Sequence, residues 1–159
     1  MNYNYDILIV GGGIMGSSIA YNLRNDDFNG TVAVFEKDPI YEFSSTTLCA
    51  GGIRQQFSTE VNIRISKYSL KFYETFDETM AVDGEKAHAE FRQRDYLFLA
   101  NEKIWPLIKK HCEFQTRMGA AVELLSVDDT RKIFPHLNTS KLAGASFGPK
   151  DGYLDPYGT

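Results

Sequence analysis

Three glycines and one glutamate near the start of the chain have the spacing of a dinucleotide-binding site. Gly11, Gly13 and Gly16 form the pattern G-x-G-x-x-G, and Glu36 follows about 20 residues further on. Glycines at these positions permit a tight turn, close approach of a pyrophosphate to the backbone, and close packing of a helix on a strand. A carboxylate at position 36 can accept hydrogen bonds from both ribose hydroxyls of adenosine and would repel a 2′-phosphate.

The elements around these residues are predicted to occur in the order that such a site needs. Residues 5–10 are apolar on both faces, which indicates a buried parallel strand. A helix over 14–26 and a second strand over 31–36 complete a strand–helix–strand unit. Ile14 and Met15 begin the helix, where unpaired N–H groups favour an anion. The glycine pattern alone also occurs in simple turns, but with these elements around it we predict a dinucleotide site.

The segment after the second strand distinguishes between two classes of cofactor. In an NAD-binding domain a short connection usually leads into another helix and strand. Here Tyr41–Ser58 is long and rich in Ser, Thr and Gly, so it can wrap the phosphates of a cofactor and approach its ring. This favours FAD. An NAD-dependent dehydrogenase remains one alternative, and a non-catalytic dinucleotide-binding or assembly protein remains another.

The remaining residues predict alternating helices and strands. An apolar stripe indicates a single helix over 60–80, with Ser58 or Thr59 as its N-cap. Strands are predicted over 91–100, 121–126 and 142–148, and helices over 101–119, with Asn101 as cap and Gly119 as stop, and over 127–134. The members of the apolar stripe are Val61, Ile65, Tyr68, Phe72 and Phe76.

The fold class expected from these elements is α/β. A Rossmann-like cofactor-binding unit would occupy residues 1–80, and an α+β unit would follow it over residues 81–150.

Composition excludes several other classes of function. The net charge of −4 argues against nucleic-acid binding, which needs a clustered excess of Lys and Arg. No apolar run approaches the roughly 20 residues of a membrane span, and we expect no signal peptide before the first strand. Cys49 and Cys112 lie far apart, which fits a reducing, cytoplasmic location without disulfides. The histidines, His88, His111 and His136, have no metal-ligand spacing. His111 lies in a predicted helix that carries lysines, where surface solvation is expected.

Several motifs together resemble a known family. The glycine fingerprint, the Glu36-Lys37 pair, the SST run at 44–46, AGGIRQQF at 50–57 and DGYLDP at 151–156 are similar to those of the glycine/D-amino-acid oxidase family of FAD-dependent oxidoreductases. The sarcosine oxidase and dimethylglycine dehydrogenase branch is the most similar. The resemblance implies oxidation of a C–N bond in an amino acid or N-methylated amine, by hydride transfer to flavin N5 and hydrolysis of the imine. Oxygen or a carrier protein would then accept the electrons.

The resemblance also implies a domain organisation. Residues 1–80 would form the FAD-binding unit, residues 81–150 part of a substrate domain, and residues 151–159 a return towards the FAD domain.

Roles for individual residues are implied as well. Gly11, Gly13 and Gly16 would bind the pyrophosphate, and Glu36 and Lys37 would lie at the adenosine. Ser44, Ser45 and Thr46 would lie near the phosphates and ribityl chain, while Gly51, Gly52 and Ile53 would lie against the isoalloxazine ring. Arg54, the expected catalytic residue, would stabilise the reduced ring or bind a substrate carboxylate.

Two further expectations follow from the resemblance. A histidine carries the flavin covalently in the dimethylglycine dehydrogenase branch, and Cys49 stands near that point here, so non-covalent FAD is expected. Members of the family are more than twice as long. The chain is therefore expected to be an N-terminal portion that binds FAD weakly in isolation, with little turnover.

Overall fold

The computed structural model describes residues 4–158, which divide into two compact units. Unit 1 contains the residues up to Ala50 and those from Pro156 onwards, and unit 2 contains Gly51–Asp155. The division therefore falls about 30 residues before the predicted boundary at residue 80. Residues 1–3 and 159, which the predicted ranges include, lie outside the described residues. The assignment of separate FAD and substrate domains stays a prediction.

Unit 1 contains the expected strand–helix–strand arrangement. Strand β1 (Ile7–Val10), helix α1 (Ile14–Asn25) and strand β2 (Val32–Phe35) follow one another, and the two strands pair in parallel with Ile7 opposite Val32. The Asp6 carboxylate accepts hydrogen bonds from the backbone N–H and the hydroxyl of Thr31, which joins the starts of the two strands. These bonds also lower the pKa of Asp6. The predicted α/β fold class is confirmed.

Unit 2 contains two small antiparallel sheets. The first has the order β3 (Gly52–Ile53), β8 (Gly152–Tyr153), β4 (Arg92–Gln93), and the second has the order β5 (Leu97–Ala100), β7 (Gly144–Phe147), β6 (Glu123–Leu125). The prediction of one strand over 91–100 is wrong, because Asp95 has a φ of 69° and separates β4 from β5. Strands β3 and β8 lie in segments that were expected to be loop and turn.

Four helices accompany these sheets: α2 (Glu60–Tyr73), α3 (Phe76–Thr79), α4 (Trp105–Arg117) and α5 (Val127–Ile133). The single helix predicted over 60–80 is wrong, because Thr75, with a φ of −126°, ends it and begins α3. Helix α4 begins after its predicted start. Asn101 accepts hydrogen bonds from the N–H groups of Lys103 and Ile104 and so organises the preceding turn. Gly119, with a φ of 73°, follows the end of α4 as expected.

The core of unit 2 is formed by a different face of α2 from the one predicted. Ile63 is fully buried and packs with Cys112, Ala120 and Val122. Val61, Ile65 and Tyr68, from the predicted stripe, are 57–70% exposed. Thr59 occupies the N-cap position of α2 but makes no side-chain capping bond. Among residues 4–158, no helix is both long enough and apolar enough to cross a membrane.

Candidate functional site

The glycine turn between β1 and α1 has the backbone geometry that its sequence predicted. Gly11 has a φ of 101°, in the region that favours glycine, and its N–H donates to the carbonyl of Phe35. A Cβ on Gly16 would lie 1.9 Å from the carbonyl oxygen of Gly11, so only glycine lets α1 pack this closely on the turn. A Cβ on Gly13 would have no heavy atom within 4 Å, so this side of the turn is open.

The N-terminus of α1 has no side-chain cap. Gly13 is the N-cap residue and cannot supply one, and the structure gives no hydrogen bond within residues 4–158 to the N–H groups of Ile14 or Met15. The Ser126 hydroxyl, by contrast, accepts the N–H of Asp129 at the start of α5. The open side of the turn and the unpaired N–H groups form a cradle that fits a pyrophosphate. The residues present therefore fit a dinucleotide cofactor.

Glu36 lies directly after β2 and binds the glycine turn. Its Oε2 accepts the N–H of Gly12 at 2.7 Å, and its Oε1 accepts the N–H of Asp38 at 2.9 Å. The bond from Asp38 and then the bond from Gly12 lower the pKa of the Glu36 carboxyl. A carboxylate can accept about four hydrogen bonds, so these two leave capacity for ribose hydroxyls.

A cavity of about 230 Å³ in unit 1 brings several predicted residues together. Ser44 and Thr46 line it with Gly13 and Ile14. The Ser44 hydroxyl lies 3.1 Å from that of Thr47 and accepts the N–H of Thr47, so it organises its own turn. The glycine fingerprint did not indicate the other lining residues, which are Gly12, Ser17, Ile40, Tyr41, Thr47, Pro156 and Tyr157.

Among the residues of unit 1 predicted for cofactor binding, three do not line this cavity and are exposed. Met15 is 74% exposed, and its expected contribution is its backbone N–H. Lys37 and Ser45 are also exposed. Their predicted places at the adenosine and the phosphates stay predictions.

In unit 2 the glycine pair is part of a sheet. Gly51 is buried with a φ of 66°, and its carbonyl accepts the N–H of Leu154. Gly52 and Ile53 form β3 and pair with β8, while Gly52 itself remains exposed. The pair is therefore held firmly while one glycine stays open to solvent.

Arg54 follows this strand and is surrounded by aromatic rings. Its Cζ lies 4.8 Å from the ring centre of Phe57, 5.0 Å from that of Phe98 and 5.6 Å from that of Tyr96. Rings at these distances attract a guanidinium and orient it. Within the described chain, Arg54 has no carboxylate within salt-bridge distance. Its donors are therefore open to an anionic group.

A buried polar cluster supports the segment that carries Arg54. Asp151 is fully buried, and its carboxylate accepts hydrogen bonds from the backbone and side chain of Gln55 and from the side chain of Gln56. The Ser146 hydroxyl donates to the side-chain oxygen Oε1 of Gln56. Burial raises the pKa of Asp151, although the bonds from the two glutamines and the charge of Arg54 oppose this. Sequence analysis missed this cluster, since Asp151 and Gly152 resemble ordinary turn residues.

A second cavity, of about 290 Å³, lies within unit 2 beside Arg54. Its lining includes Ile108, His111 and Gln115 on one face of α4, and Phe98 and Ser146 from the second sheet. His111 is half-buried here, so its expected surface position is wrong. His88 and His136 are exposed. The signal for His111 lay in the i, i+3, i+7 spacing of the three α4 residues, which places them on one face.

Comparison with known proteins gives one family and several relatives. The family described as DAO, FAD dependent oxidoreductase, matches residues 6–159. FAD-dependent oxidoreductase domain-containing protein 1 of Xenopus laevis is 41% identical over 96% of this chain and 32% of its own length. Mitochondrial dimethylglycine dehydrogenase of Homo sapiens is 29% identical over 96% of this chain and 17% of its own.

A solved structure has the same fold. L-proline dehydrogenase from P. horikoshii superposes with a TM-score of 0.83 and 32% sequence identity, over 99% of this chain and 40% of that one. The chain thus spans about a third of the Xenopus relative. The cradle fits either dinucleotide, and the family match over nearly all described residues decides between FAD and NAD. The chain belongs to the DAO family of FAD-dependent oxidoreductases, and its cofactor is FAD.

Proposed function

We propose that the chain forms the FAD-binding and part of the substrate-binding region of an enzyme that oxidises the C–N bond of an amino acid or N-methylated amine. Two relatives are named for proline and dimethylglycine, which both carry a carboxylate and an amine nitrogen on the same carbon. The observation that carries the proposal is Arg54, a cation that lies at the wall of a cavity and has no carboxylate partner among residues 4–158. A guanidinium of this kind suits the carboxylate of such a substrate.

The cofactor would be held mainly by backbone groups of unit 1. Gly11, Gly13 and Gly16 leave room for its pyrophosphate, and the N–H groups of Ile14 and Met15 would donate to it. Glu36 would accept from the adenosine ribose. When bound, FAD supplies the hydride acceptor for the carbon next to the substrate nitrogen.

Hydroxyl and glycine residues would complete the cofactor site. The hydroxyl of Thr46 makes no hydrogen bond within residues 4–158, so it can donate to a phosphate oxygen. Ser44, Ser45 and Lys37 would lie along the phosphates and adenosine. The exposed edge of Gly52, with Gly51 and Ile53 beside it, would admit a flat ring to the backbone. Attachment would be non-covalent, with Cys49 an unmodified thiol.

Arg54 would bind and orient the substrate. Its planar fork can take a carboxylate through two parallel hydrogen bonds, and the three rings around it restrict its motion. The substrate amine must be unprotonated for a hydride to leave its neighbouring carbon. A site that lowers the pKa of the bound amine would therefore matter more here than a strong base.

The remaining features of the reaction are also proposals. Electrons would pass to oxygen or to a carrier protein. The cytoplasmic location stays an expectation from cysteine content, and the human relative is named as mitochondrial. The expectation that these 159 residues bind FAD weakly, with little turnover, also stays a prediction.

Flavin reduction without oxygen tests the proposed activity. The enzyme of which this chain is proposed to form part is saturated with FAD and mixed with L-proline, sarcosine or N,N-dimethylglycine, and flavin absorbance is followed. At least one amine should bleach the flavin faster than an amine-free sample. Flavin that is bound and stays oxidised with all three would contradict C–N oxidation.

A further inference from the structure

Helix α4 presents a buried acceptor that has no partner. Gln115 is only 4% exposed, and its Nε2 donates to the carbonyl of Phe57 at 2.9 Å. That bond orients the side-chain amide through its nitrogen, so the amide oxygen Oε1 is the polar atom that still needs a partner. Within residues 4–158, Gln115 Oε1 is the one buried side-chain oxygen or nitrogen without a hydrogen bond. Such groups are rare in folded proteins because an unpaired buried acceptor is costly.

The other amide in this cavity is fully occupied. Gln56 donates to the carbonyl of Tyr96 and to Asp151, and it accepts from Ser146. The lining therefore includes one cation, Arg54, and one residue that carries an unpaired buried acceptor, Gln115. These two chemistries match a molecule that carries a carboxylate and an N–H donor close together.

We propose that Gln115 Oε1 accepts a hydrogen bond from the N–H of the substrate, so that the pocket selects primary and secondary amines over tertiary ones. The inference rests on the proposed function, because it takes the Arg54 cavity as the substrate pocket. A neutral secondary amine has one N–H and one lone pair, so donation to Gln115 leaves the lone pair free. A tertiary amine has no N–H and would leave Gln115 buried and unpaired.

Binding of two ligands of equal shape and charge tests this selection without a chemical step. Pyrrole-2-carboxylate has a ring N–H, whereas 2-furoate has an oxygen acceptor at the same position. Calorimetry on the full chain in the presence of FAD should show at least tenfold tighter binding of pyrrole-2-carboxylate, because a site built for a donor rejects an analogue without one. Equal affinities, or no binding of either, would overturn the proposal.

Two variants test whether Gln115 is responsible for the preference for pyrrole-2-carboxylate. Gln115→Met keeps the length of the side chain but removes the acceptor, and it should bring the two affinities within about twofold. Lys110→Gln, at an exposed position of the same helix, should keep the wild-type ratio. If Gln115→Met kept the wild-type ratio of affinities for the two ligands, the assignment of Gln115 as the acceptor would be overturned. Thermal unfolding of both variants shows whether each is folded. The comparison of the two ligands on the wild-type protein does not depend on either variant.

Flavin measurements separate this inference from the proposed function. If the FAD-loaded protein reduces its flavin with sarcosine and N,N-dimethylglycine equally well, the selection is wrong and C–N oxidation stands. If pyrrole-2-carboxylate is preferred but no amine reduces the bound flavin, the binding site stands and the proposed reaction fails.

Discussion

The carboxylate of Glu36 accepts the backbone N–H of Gly12 at 2.7 Å, which ties the residue after β2 to the glycine turn. The same carboxylate accepts the N–H of Asp38, so one side chain holds two backbone segments. An ordinary glutamate carboxyl has a pKa near 4.5, and these bonds lower that of Glu36. The acid predicted to bind a ribose thus also shapes the turn that would hold the pyrophosphate.

Replacing this carboxylate should lower stability in a pH-dependent way. Because the folded pKa of Glu36 lies below its unfolded value, its contribution is present above about pH 4.5 and is lost as the pH falls through the folded pKa. Glu36→Gln should therefore be less stable than wild type in urea at pH 7, and the difference should shrink by pH 3. Glu42→Gln, at an exposed position, is the control. A difference that does not change with pH would contradict this role.

Two glycines of the fingerprint should respond differently to alanine. A Cβ on Gly16 would collide with the Gly11 carbonyl, so Gly16→Ala should lower the free energy of unfolding by about 1–3 kcal/mol or more. Gly13→Ala places its methyl group in open space, so the fold should survive. Its FAD affinity should still fall about tenfold, or about 1.4 kcal/mol, because the methyl group occupies the path of the pyrophosphate. Unfolding curves and FAD titrations of both variants check this; unchanged FAD affinity in Gly13→Ala would count against the cradle.

Arg54 should be sensitive even to a conservative change. Lysine keeps the charge but lacks the planar fork that binds a carboxylate and stacks on rings. Arg54→Lys should weaken pyrrole-2-carboxylate binding and slow flavin reduction about tenfold or more, since hydrogen bonds to charged groups are worth about 1.5–3 kcal/mol. Arg64→Lys, in an exposed pair with Glu60 on α2, should change neither. Equal effects of Arg54→Lys and Arg64→Lys would contradict the assignment of Arg54 to the substrate site.

Asp151 should make stability fall with rising pH. Burial raises its folded pKa above its ordinary value near 3.8, so the proton on Asp151 stabilises the fold at low pH. That contribution is complete below the unfolded pKa and is lost as the pH rises through the folded pKa. Asp151→Asn has no carboxyl group to titrate at this position. The free energy of unfolding of wild type, measured relative to that of the variant, should therefore decrease from pH 3 upwards. Urea unfolding across this range measures it, and a relative stability that rises with pH would contradict the assigned direction.

The fold of unit 1 and its glycine turn could be predicted because each signal is local. The positive φ of Gly11 and the crowding at Gly16 depend on neighbours a few residues away, and strand, turn and helix follow in order. Glu36 was found from its spacing. Its bond to Gly12 could not be predicted, because a carboxylate in this position does not indicate which N–H it will accept.

The errors in unit 2 arose where distant segments compete. Val61, Ile65 and Tyr68 have the spacing of a buried face, but the partners of α2 contact Ile63 instead. Asp151 looked like a turn residue, and its burial depends on Gln55, which is 96 residues away in the chain. Periodicity shows which residues share a face and does not show which face is covered.

Titration of the purified chain with FAD, followed by flavin absorbance and fluorescence, tests the central claim most directly. We predict saturable binding that is weakened about tenfold in Gly13→Ala and is not displaced by excess NAD. Flavin spectra that do not change at any FAD concentration, or equal binding by wild type and Gly13→Ala, would contradict the claim that the Gly11–Gly16 turn holds FAD.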